Sequence, residues 1–289
     1  MHPHFAFTTV EVLWTITFAA QLVLLVVLLG RERIRRFPWF TASVVVIGLR
    51  VLMARVLYSR LPPLTFNAIL ITLADLGVVV GLLVLVELAR KAFRGARRGA
   101  WIGGTLALLA VGAVVLKYWG PWPAWKTLTA NSRLAVLLLM QLGAQKGELL
   151  VGVLSICLGL LVALLGRRYG AGWRSHAQRI LIGLSTAAIA QLAVQAIWQI
   201  VAAHTTPKSQ QEYEHILGLR DRISNANSAV YIAVLVWWIA CLWMDEPGAA
   251  RAATEVAVGG AETAETPAAA ALDLASTEEP TEPPFVSSE

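Results

Sequence analysis

Two ionised residues lie where a helix crossing a bilayer should carry none: Arg50 in the apolar stretch 39–58, and Asp75 in the stretch 67–89. A lone charge near the bilayer centre costs about 2.5–3.5 kcal/mol on insertion scales, so each asks for a partner or for water. With centres near Gly48 and Gly77 and antiparallel neighbours, both fall about 3 Å to the same side of the midplane. The expectation is a hydrogen-bonded Arg50–Asp75 pair, serving either to fix helix register or to hold a solute or proton.

Three amides form a second polar group. Gln191, Gln195 and Gln199 follow one another at four-residue steps inside the apolar stretch 180–202. Each step of four advances about 400°, so together they drift only about 80° while climbing about 12 Å. Gly183 and Ala187 continue nearly the same stripe with small residues that admit a neighbouring helix. Gln21, Asn225, Asn227, Ser228 and Tyr231 fall in the same half of the membrane as the glutamines. Two readings stand. The amides bridge helices, contributing about 0.6–2 kcal/mol each, or Gln21, Gln191, Gln195, Gln199, Asn227 and Tyr231 line a pocket, which their shared depth favours.

Other chemistry is absent. Neither a zinc-binding HExxH helix, a Walker loop, a nucleophile elbow nor a Gly-x-Gly-Asp protease motif occurs, so no enzymatic activity is expected. Asp75 is the one carboxylate placed near a span centre, so a two-carboxylate mechanism lacks its second member. The final span, 226–244, has no lysine for a retinal Schiff base, and the Pro-Gln dipeptide of seven-helix sugar transporters is missing from every span. His204, Glu212, Glu214 and His215 share a loop, but Glu212 and Glu214 do not share a helical face, so neither a metal nor another cofactor is expected. Cys157 and Cys241 sit in apolar runs and read as inert buried thiols.

The elements that must position these residues are apolar spans. At 57% hydrophobic and 15% charged residues over 289 positions, the chain is too apolar for a soluble domain. Seven segments qualify: 10–29, 39–58, 67–89, 100–118, 146–166, 180–202 and 226–244. The fold class expected is therefore all-α, a polytopic bundle of seven transmembrane helices spanning 10–244. The first segment is followed, not preceded, by its charges (RERIRR), so it reads as a retained span and not a signal peptide.

Thirteen Lys or Arg fall in the loops RERIRR, RKAFRGARR and RRYGAGWRSHAQR, whereas the alternate loops are mixed in charge. By the positive-inside rule residues 1–9 are extracytoplasmic and the C-terminus is cytoplasmic, in a cell inner membrane. The net charge of +6 thus orients the chain in a lipid bilayer and does not point to nucleic acid. The aromatics of YWGPWPAW, 118–125, read as a membrane-interface anchor. The stretch 134–145 is too short to cross and reads as an interfacial segment or an extension of the next helix, with a re-entrant loop as the alternative.

After Met244 the composition turns to Ala, Pro, Thr, Gly and Glu, with ten acidic residues and only Arg251 basic, so 245–289 reads as a disordered cytoplasmic tail available to a protein partner. Functionally, the sequence points to a non-enzymatic sensor, receptor-like or interaction module with an outward-facing pocket for a small molecule. The alternative is a small solute or proton transporter or channel using Arg50 and Asp75.

Overall fold

The computed structural model describes residues 8–58, 60–93, 98–119, 133–165, 175–204 and 209–244. The tail 245–289, most of residues 1–9, expected to be extracytoplasmic, most of the YWGPWPAW motif, and positions 167–174 of the third basic loop lie outside these residues. Among the described residues every regular element is a helix: α1 (Thr9–Gly30), the single turn α2 (Arg33–Arg36), α3 (Pro38–Leu57), α4 (Pro63–Ala92), α5 (Arg98–Tyr118), α6 (Arg133–Leu165), α7 (His176–His204) and α8 (Gln210–Trp243). Six of them, all but α2 and α5, are long and apolar enough to cross a membrane, and the apolar described part of α5, Gly103–Tyr118, is shorter.

Local chemistry explains the helix starts. Thr8 and Glu11 cap α1 reciprocally: the Thr8 hydroxyl accepts the Glu11 N–H at 3.3 Å, and the Glu11 carboxylate accepts the Thr8 N–H at 3.2 Å. Prolines occupy the first turns of α3 and α4, where a missing N–H is harmless. Helix α3 lacks a cap of its own, because Phe37 precedes it. Glu87 of α4 supplies one instead, accepting the N–H groups of Trp39 and Phe40 at 3.2 Å each and holding Lys91 at 2.8 Å.

Helices α6 and α8 run well past the apolar spans expected within them. Lys146 and Glu148 end the apolar segment but not the backbone hydrogen bonding, so α6 continues through 134–145 as one 33-residue helix about 50 Å long. The 134–145 stretch is thus a helix extension. The polar start of α8 is helical because the Ser209 hydroxyl caps the Glu212 N–H at 3.2 Å.

The six long helices form a closed circle in the order α1, α3, α4, α6, α7, α8 and back to α1, pinched where α4 also meets α7; α5 packs outside it on α6. Arg55–Glu11 at 3.1 Å joins the end of α3 to the start of α1, so these two are antiparallel. The pairs α4/α6 and α1/α8 are parallel: Val78 packs on Gly147, and Arg31 stacks over Trp243 at 5.2 Å. Helices α1, α4, α6 and α8 therefore all begin at one end of the circle, here the upper end, and finish at the lower.

The two halves differ sharply in chemistry. Leu24, Leu28, Phe37, Phe40, Leu88, Leu181, Leu235 and Trp238, each at most 3% exposed, fill the lower half. Trp238 caps this packed half, its ring nearly perpendicular to that of Phe40 at 5.1 Å and its indole N–H donated to the Ile180 carbonyl at 3.2 Å. Gly183 makes this possible, since a methyl group there would collide with the indole nitrogen. Large apolar side chains such as Val26, Leu106, Leu160, Leu164, Ile200 and Val236 project outward instead, a pattern that fits contact with lipid and not water.

Candidate functional site

Above Trp238 the circle encloses a cavity of about 490 Å³ to which all six long helices contribute. Thr17, Arg50, Glu148, Gln191, Asn227, Ser228 and Tyr231 bring polar groups to its otherwise apolar upper wall, Ser43 and Ser155 lie lower, level with Val44, Leu184 and Ala187, and Trp238 closes the base. A second cavity of about 380 Å³ lies between the upper halves of α4 and α6, lined by Asn67, Ile71, Gln141 and Gln145. The two share Arg50, Ala74 and Glu148.

Arg50 finds its carboxylate on α6. Its guanidinium donates to Glu148 Oε1 at 2.6 Å, and no ion pair among the described residues includes Asp75. The expected Arg50–Asp75 pair is corrected by helix geometry. Ala74 is the residue of α4 that faces both cavities, and Asp75, about 100° further round, turns toward α6. There its carboxylate lies 3.5 Å from where a Cβ on Gly143 would stand. The Arg50 side chain is 45% exposed and that of Glu148 36%, so both charges face open space and not packed protein.

Of the remaining expected site residues, Gln191, Asn227 and Tyr231 line the central cavity. The Asn227 amide donates to Gln191 Oε1 at 3.1 Å, joining α8 to α7. Gln21 is 1% exposed and lies behind the wall, its amide donating to the Tyr231 hydroxyl at 3.3 Å. Gln195 is half-buried and Gln199 exposed, and neither belongs to the cavity wall. The ribbon's 80° drift carries its upper members away from the opening that Gln191 faces. Gln191 and Asn227 thus both bridge helices and line the cavity.

The hydroxyls around the cavity use their protons at home. Thr17 donates to the Leu13 carbonyl at 2.8 Å, Ser43 to Phe40 at 2.9 Å, Ser155 to Val151 at 2.7 Å and Ser228 to Ser224 at 3.0 Å. Their oxygen lone pairs remain as acceptors toward the cavity. Among the described residues no cluster of three His, Cys, Asp or Glu side chains is placed to hold a metal.

Glu148, Asn67, Gln141 and Gln145 were not singled out from sequence as site residues. Their signal is spacing: 141, 145 and 148 follow helical steps of four and three, which places them on one face once α6 is known to be continuous.

These helices define an integral membrane protein of several spans, and the apolar outer surface is consistent with a lipid bilayer. No known family model, curated protein or solved structure matches the chain.

Proposed function

We propose that the protein is a seven-span sensor or receptor-like module of the inner membrane, with α5 as the seventh span and no enzymatic activity. The upper end faces outside. The lower end faces the cytoplasm, since it carries Arg31, Arg33, Arg35, Arg36, Arg90, Lys91 and Arg179, the charges that are retained on that side. The observation that carries the reading is the central cavity: polar in its upper half, closed below by Trp238 and the leucines, and of a size that takes a small solute. The acidic segment 245–289 is the part offered to a cytoplasmic partner, tested by affinity capture with the whole chain and with one ending at Gly248.

Gln191→Cys in a chain carrying Cys157→Ala and Cys241→Ala is expected to react with an impermeant thiol reagent added outside intact cells. Protection of that cysteine from outside, with reaction only after the membrane is opened, overturns the orientation. The sharing of Arg50 and Glu148 by two cavities favours a second reading, a transporter or channel in which this pair separates two chambers. Solute or proton flux in liposomes that is abolished by Glu148→Gln supports the second reading over the first.

A further inference from the structure

The charges at the junction of the two cavities restrict what the central cavity is built to hold. Arg50 and Glu148 are in contact at 2.6 Å and open to the space on both sides, with the Asp75 carboxylate of α4 close enough to act on Glu148. A ligand bearing only a carboxylate would take Arg50 and strand Glu148, and a simple amine would take Glu148 and strand Arg50. Leaving either charge without a partner forfeits the attraction that the pair now supplies. A molecule with both groups on one carbon replaces each protein charge by its own, so the pair opens without stranding either.

The rest of the wall fits such a molecule. An ammonium group has three N–H donors, and the upper wall presents spare acceptors on Thr17 and Ser228, whose protons are already committed to backbone carbonyls. A carboxylate is matched by the planar fork of the Arg50 guanidinium. Below these, Val44, Leu184, Ala187 and Trp238 form an apolar floor for an uncharged side chain. The volume of about 490 Å³ accommodates an α-amino acid or a short peptide.

We infer that the ligand is a small zwitterion of the α-amino-acid type, bound by insertion between Arg50 and Glu148 with its side chain on the Trp238 floor. This rests on the reading of the central cavity as a ligand site. The purified full chain in detergent is heated with each common α-amino acid in turn, following tryptophan fluorescence. The one giving the largest upward shift is then compared with its amide, which lacks the carboxylate, and its N-acetyl derivative, which lacks the ammonium. The zwitterion is expected to bind about fivefold more tightly than either, because each analogue leaves one charge of the open pair without its partner.

A crossed pattern is expected in the variants: Arg50→Gln weakens the zwitterion and the N-acetyl derivative, and Glu148→Gln weakens the zwitterion and the amide. The analogue comparison needs no variant, so a misfolded variant does not blunt it. A single-charge analogue that binds as tightly as its parent, or no response to any amino acid, overturns the inference. Labelling of Gln191→Cys separates the two failures. If that cysteine reacts and is shielded by a neutral solute such as glucose but by no amino acid, the cavity reading stands and the zwitterion falls. If it does not react at all, both fall.

Discussion

Replacing Glu87 tests how far this bundle depends on a cap borrowed from a neighbouring helix. The carboxylate is 7% exposed and makes three contacts: two N–H groups at the start of α3 through Oε2 at 3.2 Å, and Lys91 through Oε1 at 2.8 Å. A hydrogen bond to a charged group contributes about 1.5–3 kcal/mol, and the long 3.2 Å contacts sit at the low end of that range. The negative charge at a helix start adds about 0.3–1 kcal/mol. Glu87→Ala leaves two N–H groups and the half-buried Lys91 ammonium unmatched, so a loss of about 3–5 kcal/mol is expected. Glu87→Gln keeps an acceptor oxygen and should lose about half as much, near 2 kcal/mol.

Lys91→Met removes the charge but keeps the stem packed over Phe37, where the ammonium now sits 3.9 Å from the ring centre. The double variant Glu87→Gln with Lys91→Met should then cost about 1–2 kcal/mol less than the two singles summed. Unfolding in mixed micelles with rising dodecyl sulfate, followed by far-ultraviolet circular dichroism, measures all four chains. A loss under about 0.5 kcal/mol for Glu87→Ala, or strict additivity in the double variant, refutes the borrowed cap.

Two further outcomes are expected. Gly183→Ala drives a methyl group into the Trp238 indole and should destabilise by about 1–3 kcal/mol, with partial recovery in Gly183→Ala combined with Trp238→Leu; unchanged thermal unfolding of the single variant would show that the indole has room to move. Exchanging the charges, Arg50→Glu with Glu148→Arg, should restore most of the stability lost on either single reversal, a loss of about 1 kcal/mol given how open the pair is, whereas combining Arg50→Glu with Asp75→Arg should restore none; recovery with Asp75 and not with Glu148 in the same unfolding assay would sink the assignment.

The helices were legible in the sequence because apolar length is a one-dimensional property: each segment expected lies within, or within one residue of, α5 or one of the six long helices, and the polar extensions and the single turn α2 were missed. Partner choice was not, because it depends on the rotation of each helix about its own axis. Asp75 and Glu148 both lie at a depth Arg50 can reach, and a 100° turn between Ala74 and Asp75 decides which is used. The depth of Glu148 was itself hidden. Read as the first turn of a span it belongs to the membrane surface, and only the continuous 33-residue α6 brings it beside a residue near the centre of α3. The amide ribbon was legible as a stripe, yet which of its members face the cavity is set by neighbours supplied from α8, 36 positions further along the chain in the case of Asn227.

The neighbours that complete the circle are the first long helix and the last. Gln21 of α1 and Tyr231 of α8 are 210 positions apart, and their hydrogen bond is part of the seam between them. During synthesis α1 enters the membrane while its eventual neighbour is still untranslated, so the Gln21 amide must wait for its phenol through the making of every intervening helix. A chain released early is therefore left with a slot in its wall, open to lipid, where the finished protein has a cavity. Because α8 carries both the Tyr231 side of the seam and the Trp238 floor, its arrival walls in the chamber and seals its base in a single step. For the cell, an unpaired Gln21 amide N–H is a mark of an unfinished molecule, and one that disappears when α8 docks.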